Sequence, residues 1–319
     1  MQILPAHGGF PPGGLFRAPD GRLRPSWRFV LAAIVFVLAN ILAGIAASVV
    51  ARAAGWTSIG AAEAVYRPLA LALSLAAFCA MLRLLDQVEG SPLAAMGLGV
   101  DRPWLRESLI GTALGAGMIA LAVGAIAALG HLRFEVIAGP AVVWFVIVDL
   151  WVLLTAAMLE EVAFRGYPFQ RLVEAIGAVG AIVFFSALFG LVHAGNPHAK
   201  LLGWGTWNTI FIGAVLALAY LRTGGLWMPW GIHFGWNAAL GLVFGLPVSG
   251  VTQFAVVVRG TAEGPLWLTG GGYGIEASAT GALVIALGLL VLVRLTPPRP
   301  SVSSLQTGSL APATPTPGP

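Results

Sequence analysis

The sequence has very little charge, since Asp, Glu, Lys and Arg make up only 9% of its residues, against about 25% in soluble globular domains. Hydrophobic residues account for 58%, and the mean hydropathy is +0.89. This composition excludes an ordinary soluble domain and predicts a polytopic membrane protein. Lysine occurs only as Lys200. The arginines that supply the remaining basic character lie at the ends of apolar segments, which suits anchoring at a lipid bilayer and offers no patch for nucleic acid.

Several reactive motifs are also missing. Cys79 is the single cysteine, so neither an intrachain disulfide nor a cysteine-based metal motif can form, and Cys79 lies in an apolar segment. The sequence contains no Gly-x-Ser-x-Gly and no His-Glu-x-x-His. These absences argue against a serine hydrolase with a nucleophile elbow and against the commonest type of zinc protease.

Long apolar runs dominate what is present, and they predict an all-α membrane protein, a bundle of about eight transmembrane helices. The spans are expected at about 28–51, 67–85, 108–130, 141–164, 178–194, 204–221, 226–245 and 277–293. We therefore divide the chain into a disordered tail at 1–26, a transmembrane domain at 27–295 and a second disordered tail at 296–319. The long glycine-rich connection at 246–276 has no pattern that suggests chemistry.

The arginines also predict the orientation in the membrane. They are concentrated in alternate connections and in both tails, and by the positive-inside rule these parts face the cytoplasm. Both termini are then cytoplasmic, in agreement with an even number of spans. The preference for arginine over lysine is typical of a GC-rich genome, and we expect an integral protein of a bacterial cytoplasmic membrane.

Ionisable residues interrupt the fourth span at Glu160-Glu161-x-x-x-Arg165. An acidic group in hydrocarbon costs roughly 2.5–3.5 kcal/mol on insertion scales, so such residues indicate a functional site by default. Glu161 and Arg165 are four residues apart and share one helix face, with the acid in the favourable N-terminal position for an ion pair. Glu160 points about 100° away from Glu161 and has no local partner. The alternative is a cluster of charges at the end of a helix on the cytoplasmic surface.

Two later spans carry histidines. The fifth contains Phe189-x-x-x-His193, and the seventh contains His233-x-x-x-Asn237. At 1.5 Å per residue, Glu160 and His193 lie roughly 15–20 Å from the predicted cytoplasmic surface, and His233 lies roughly 10 Å from it. A shared polar cavity is therefore expected. Taken singly, each histidine or asparagine can equally be a structural group that makes interhelical hydrogen bonds.

Other polar groups within the spans have structural interpretations. Asp149 lies three turns before Glu160 and either lines the same cavity or pairs with Asn208 or another polar group, of which we favour the pairing. Asn40 and Asn208 are expected to serve helix packing. Tryptophans near the span ends are typical of an interfacial belt, and they could also lie at a substrate entrance. They are Trp204, Trp207, Trp227 and Trp230.

The three motifs, in this order and each on its own span, resemble those of the CPBP family (CAAX protease and bacteriocin-processing, or Abi) of intramembrane glutamate proteases. The resemblance covers residues 141–245, the predicted protease core. It implies that Glu160 and His193 hold and activate a water molecule and that His233 and Asn237 stabilise the oxyanion, with Glu161 and Arg165 in support. It also implies a membrane-associated protein or peptide as substrate. The best-known members cleave prenylated CAAX proteins.

Alternatives remain at this point. No cofactor is firmly predicted, although Glu160, Glu161, His193 and His233 are an acceptable ligand set for zinc; we prefer chemistry without a metal. The same ionisable residues could form the relay of a proton-coupled transporter. A membrane scaffold without enzymatic activity could keep them for packing. The sequence does not indicate the oligomeric state.

Overall fold

The computed structural model describes residues 14–19, 21–54, 59–89, 97–100, 103–137, 142–252, 254 and 256–297. Within these, the long helices are α1 (Pro25–Ala53), α2 (Ile59–Glu89), α3 (Trp104–Ala128), α4 (Val142–Arg165), α5 (Tyr167–His193), α6 (Trp204–Thr223), α7 (Trp227–Ala238) and α9 (Ala279–Leu295). A short α8 (Leu266–Thr269) lies before α9, and a π-helical turn (Ala239–Val243) extends α7. Most of the two predicted tails lies outside the described residues.

Each of the eight predicted apolar spans overlaps one of the long helices. The largest difference is in α5, which begins at Tyr167 rather than near residue 178. Gly177 interrupts it with φ 82° and ψ 166°, a conformation that glycine adopts without strain. The residues before Gly177 therefore form a separate helical segment that continues directly from α4, and the predicted fifth span is the segment after the kink.

By length and composition, four helical stretches in the described residues can cross a membrane: Pro25–Val50, Trp104–Ala128, Trp144–His193 and Trp204–Thr223. Eight transmembrane helices are therefore not confirmed. The physical reasons are clear. Trp144–His193 combines two predicted spans in one helical run, whereas Ala279–Leu295 is shorter than the roughly 20 residues that span a bilayer. α7 has only 12 residues before its π-helical turn.

The expectation of an all-α protein is wrong in one respect, because the connections contain a small sheet. Strand β1 (Leu132–Val136) pairs antiparallel with β2 (Val258–Ala262), with Phe134 opposite Gly260. Both strands are five residues long, and β1 is mostly exposed, whereas β2 has a buried residue, Gly260, at its centre. Apolar periodicity identified the spans, but strands this short leave little such signal. The sheet joins the α3–α4 connection to the long connection that follows α7.

α3 and α7 pack so closely that their backbones touch. A Cβ added at Gly115 would lie 2.1 Å from the carbonyl oxygen of Ile232, and one added at Gly235 would lie 2.2 Å from that of Thr112. A Cβ added at Gly111 would lie 2.5 Å from the carbonyl oxygen of Met228, and one added at Gly231 would lie 2.4 Å from that of Ser108. Each helix thus presents glycines four residues apart, as in close helix pairs in membranes. The two helices run parallel, as expected for the third and seventh predicted spans, which cross the membrane in the same direction. α7, which belongs to the predicted protease core, is therefore positioned by contact with a helix outside that core.

Two apolar cores flank the helix α4. One joins α3, α6, α7 and α9 through residues such as Ile119, Leu216 and Ile232. The other joins α1, α2, α4 and α5 and includes Phe78 and Phe185. The C-terminal part of α4 lies between these cores, so its side chains can reach α5, α6 and α7.

The α3–α7 contact generates a prediction. Gly115→Ala would force the two backbones apart, and we expect a loss of stability of about 1–3 kcal/mol because well-packed sites tolerate added carbon poorly. The measurement is the unfolding transition in detergent micelles. Gly117→Ala is the matched control, since an added Cβ there meets nothing within 4 Å. Equal effects of the two substitutions would contradict the assigned packing.

Candidate active site

The two adjacent acids on α4 have different surroundings. Glu161 is fully buried, and its Oε1 accepts a hydrogen bond of 3.0 Å from Nη1 of Arg165, one helical turn later. The ion pair expected from the spacing is therefore present. Glu160 turns its carboxylate towards a cavity instead. Its Oε2 is buried and has no hydrogen-bond partner among the described residues.

Arg165 fastens α4 to two other helices. It is 1% exposed, its Nη2 donates to the carbonyl oxygen of Gly213 on α6 at 3.2 Å, and its guanidinium lies 4.5 Å from the ring centroid of Phe189 on α5. A Cβ on Gly213 would come within 3.5 Å of Nη2, so the absence of a side chain leaves room for this approach. The guanidinium thus has a carboxylate, a carbonyl and an aromatic face as partners.

His233 on α7 bridges the two acids. Its Nδ1 lies 2.8 Å from Oε1 of Glu161 and its Nε2 lies 3.8 Å from Oε2 of Glu160. The Glu161 oxygen also accepts a bond from Arg165, as expected for an ionised carboxylate, so we assign the proton to Nδ1 of His233 as donor. This bond fixes the ring and directs Nε2 into the cavity.

His193 approaches Glu160 from α5. Its Nδ1 lies 2.8 Å from the carbonyl oxygen of Phe189, in the last turn of the helix, and must donate to it because a carbonyl can only accept. Its Nε2 lies 3.9 Å from Oε2 of Glu160. The fold therefore turns the Nε2 atoms of two histidines, from two different helices, towards one unpartnered carboxylate oxygen.

These side chains line a cavity of about 240 Å³. Asn237, one turn after His233 on α7, lines it as well, so the cavity wall includes Glu160, His193, His233 and Asn237 of the predicted site. Glu161 and Arg165 lie behind it. Much of the remaining wall is apolar and comes from α4, α6, α7 and the connection after α7, for example Val152, Leu153, Ile212, Leu216, Ile232, Val248, Val251 and Phe254.

The connection at 246–276, in which the sequence indicated no chemistry, contributes Ser249 and Glu276 to the same wall. The Glu276 carboxylate accepts hydrogen bonds from the backbone N–H and the Oγ of Ser249 and, at 2.9 Å, from Nε1 of Trp236. Enclosure within the protein raises the pKa of Glu276, and these hydrogen bonds oppose that rise. The fold thus adds a second carboxylate to the cavity that sequence periodicity could not have located.

The other candidate residues take structural positions. Asn208 donates to the backbone carbonyls of Glu276 and Ser278, each at 2.8 Å, which is the packing role expected of it. Asp149 makes polar contacts but does not line this cavity. Trp230 donates its indole N–H to the carbonyl of Leu154 at 3.1 Å and so ties α7 to α4.

The four-residue zinc set considered from the sequence is not assembled. Glu161 is turned towards Arg165 and the far nitrogen of His233, away from Glu160 and His193. In the part of the chain that the structure describes, no group of three or more His, Cys, Asp or Glu side chains is arranged to hold a metal ion. The side chains present therefore do not fit zinc as a resident cofactor.

A carboxylate and two imidazoles enclosed among apolar helices are groups with which a hydrolase can activate water inside a membrane. The comparison with known families points to the same class. Residues 142–239, less than half of the chain, match the family model described as Type II CAAX prenyl endopeptidase Rce1-like. This segment lies within the predicted core at 141–245, so the resemblance inferred from the motifs is confirmed there. The match supports a CAAX-protease-like membrane endopeptidase and hence an integral membrane protein.

No curated protein and no solved structure matched the chain. The family model therefore supports the class of protein, and the residue roles depend on the geometry of the site.

The buried ion pair generates a prediction. Arg165→Met leaves Glu161 charged and unpaired in the bundle, and we expect a loss of about 3–5 kcal/mol in unfolding free energy in micelles. The control is Arg133→Met. Arg133 pairs with Glu263 at 3.8 Å, with both side chains more than half exposed, and exposed pairs contribute at most about 1 kcal/mol. Similar losses for the two variants would argue against a structural role for Arg165.

Proposed function

We propose that this protein is an intramembrane endopeptidase that hydrolyses a peptide bond of a membrane-associated protein or peptide. In this proposal Glu160 and His193 activate water, and His233 and Asn237 stabilise the oxyanion. The observation that carries it is the position of Glu160 Oε2, buried without a hydrogen-bond partner and 3.8–3.9 Å from two histidine Nε2 atoms.

These separations suit a water molecule. They are too long for direct hydrogen bonds, but a water at about 2.8 Å from both partners would span them. A carboxylate held next to a water molecule can act as its general base. Glu160 would take a proton from the water while the oxygen of that water attacks the peptide carbonyl carbon. It would return the proton to the amide nitrogen, which leaves as an amine when the C–N bond breaks.

The tetrahedral intermediate needs hydrogen-bond donors for its negative oxygen. The amide N–H₂ of Asn237 is a donor in any state, and His233 can donate from Nε2 when its ring carries both protons. Glu161 accepts the bond from Nδ1 and so holds Nε2 towards the cavity. One such donor is worth about 10²–10³ in rate. Glu161 and Arg165 would act indirectly, by holding His233.

The substrate class follows from the surroundings of the site. The cavity is largely apolar and lies among apolar helices, so a peptide embedded in or attached to the bilayer reaches it more readily than a soluble protein does. In a host that prenylates proteins, a prenylated CAAX protein is a suitable substrate. In a host that does not, a peptide pheromone, a bacteriocin-like precursor or the tail of a membrane protein takes its place.

The central test is Glu160→Gln, which keeps the size of the side chain but removes the base. We expect hydrolysis to fall by at least about 10²–10⁴ with an unchanged unfolding transition. The measurement compares new N- and C-termini in the membrane proteome of cells carrying wild-type or variant protein, followed by assay of the identified peptide with purified protein in liposomes. Glu135→Gln, on an exposed position of β1, is the matched control.

If the membrane proteomes of wild-type and Glu160→Gln cells contained the same N- and C-termini, the protease proposal would be contradicted. If the same substitution abolished proton-coupled flux in liposomes while termini stayed the same, the protein would be a transporter. If only stability or partner binding changed, it would be a scaffold.

A second test concerns metal dependence. Because the zinc set is not assembled, we expect proteolysis to survive exhaustive chelation and added zinc to have no effect. The measurement is the rate of peptide cleavage before and after treatment, with a known zinc protease treated in parallel. Loss of activity on chelation with recovery on adding zinc would replace the metal-free mechanism.

A further inference from the structure

The connection after α7 returns to the cavity as a tight turn. Val248 and Val251 exchange two backbone hydrogen bonds of 2.8 and 2.9 Å around Ser249 and Gly250. Both central residues have positive φ, 47° at Ser249 and 84° at Gly250, as in a type I′ turn. Glycine adopts this conformation freely, but serine does so only where its surroundings hold it there.

Glu276 is the group that holds Ser249. Its carboxylate accepts from both the backbone N–H and the Oγ of Ser249. The carbonyl oxygen of Ser249 accepts in turn from Nδ2 of Asn196 at 3.1 Å, three residues after His193. The Gly250 N–H donates to the carbonyl of Tyr273 at 2.9 Å. The turn is therefore bound on one side by the segment before α9 and on the other by the loop that follows His193.

Close packing fixes the turn further. A Cβ added to Gly250 would lie 2.0 Å from the carbonyl oxygen of Pro197. The turn thus touches the backbone of the loop after α5, and a displacement of the turn would be felt next to His193.

The same carboxylate also holds α7. Trp236 donates its indole N–H to Glu276 at 2.9 Å, and Trp236 lies directly before Asn237 and almost one turn after His233. Trp236 is 5% exposed, so its ring is part of the packed wall. Glu276 therefore ties together the turn and the helix that carries the two proposed oxyanion donors.

The residues that Glu276 holds form a continuous part of the cavity wall: Val248, Ser249 and Val251 from the turn, and Trp236 from α7. An anchor serving only the stability of a distant loop would not need to lie in the cavity. Both carboxylate oxygens accept bonds from the protein, so the carboxylate is held in place as an anchor. Its position indicates control over the shape of the cavity.

We propose that Glu276 is a positioning residue that holds the turn Val248–Val251 and Trp236 in place and thereby sets which apolar side chain of the substrate the cavity admits beside the scissile bond. This inference rests on the proposed peptidase function. It assigns substrate selection to a segment beyond residues 142–239, the part that matches the family model.

The kinetic test uses Glu276→Ala in the full-length protein in liposomes. The substrates are variants of the peptide identified from the termini comparison, with Ala, Val, Leu or Phe beside the scissile bond. Apolar cavities discriminate between neighbouring side-chain sizes by about 10–200-fold, and we expect Glu276→Ala to reduce that preference about tenfold, chiefly through KM. Glu276→Gln should have a smaller effect, because its amide oxygen can still accept from Trp236.

The control is Glu263→Ala, an exposed acid on the same connection, which should leave the preference unchanged. An equal fall in kcat for all four peptides, or an unchanged preference in Glu276→Ala, would overturn the proposal. If Glu276→Ala does not fold, Ser249→Ala and Trp236→Phe each remove one donor to the carboxylate. Each should reduce the preference in part, and no effect in either would also overturn it.

A second measurement does not depend on activity. In a Cys79→Ala background, Val251→Cys places a single thiol on the turn, and its reaction rate with a maleimide reports how firmly the turn is held. We expect about tenfold faster labelling when Glu276→Ala removes its hydrogen bonds, and no change with Glu263→Ala. An unchanged labelling rate would show that Glu276 does not hold the turn. Absence of peptide cleavage by the wild-type protein would instead remove the proposed function, and the labelling result would still stand.

Discussion

The site depends on one buried ion pair, Glu161 with Arg165, placed where the membrane offers no water to solvate either charge. Such a pair is stable only when it has further partners within the protein. Those partners come from three other helices: Gly213 of α6, the Phe189 ring of α5 and Nδ1 of His233 on α7. The need to satisfy one arginine and one carboxylate therefore brings together the helices that build the cavity.

The pair also explains how two neighbouring acids come to differ. Glu161 is bonded to Arg165 and to the imidazole N–H of His233, and it does not line the cavity. Among the described residues no arginine or lysine pairs with Glu160, which faces two Nε2 atoms across a gap. In the proposed mechanism, environment rather than residue type separates the supporting acid from the reactive one, as in enzymes that use paired carboxylates.

Local spacing along the helices predicted much of this arrangement. The rest depends on long-range packing, which the sequence pattern did not reveal. The four-residue separations in Glu161-x-x-x-Arg165 and His233-x-x-x-Asn237 follow from helix geometry, and the depth estimate brought Glu160 and His193 to one level. Glu276 could not be found in this way, because a turn and a short 3-10 segment bring it to the cavity from a connection without periodicity. The glycines of α3 were visible in the sequence, but their partner helix was not.

The features that local spacing predicts and the features that depend on long-range packing lie in two different parts of the molecule. The acids, histidines and asparagine of the site lie within residues 142–239 and depend on short-range helix geometry. Their placement and the shape of the cavity depend on α3, which meets α7 backbone to backbone, and on the connection that carries Ser249 and Glu276. A change in α3 would displace His233 together with its helix and so affect every substrate alike. A change in the connection would alter the wall and would act on His193 only through the loop that follows it, so under the proposed function it would affect substrate selection more than the position of Glu160.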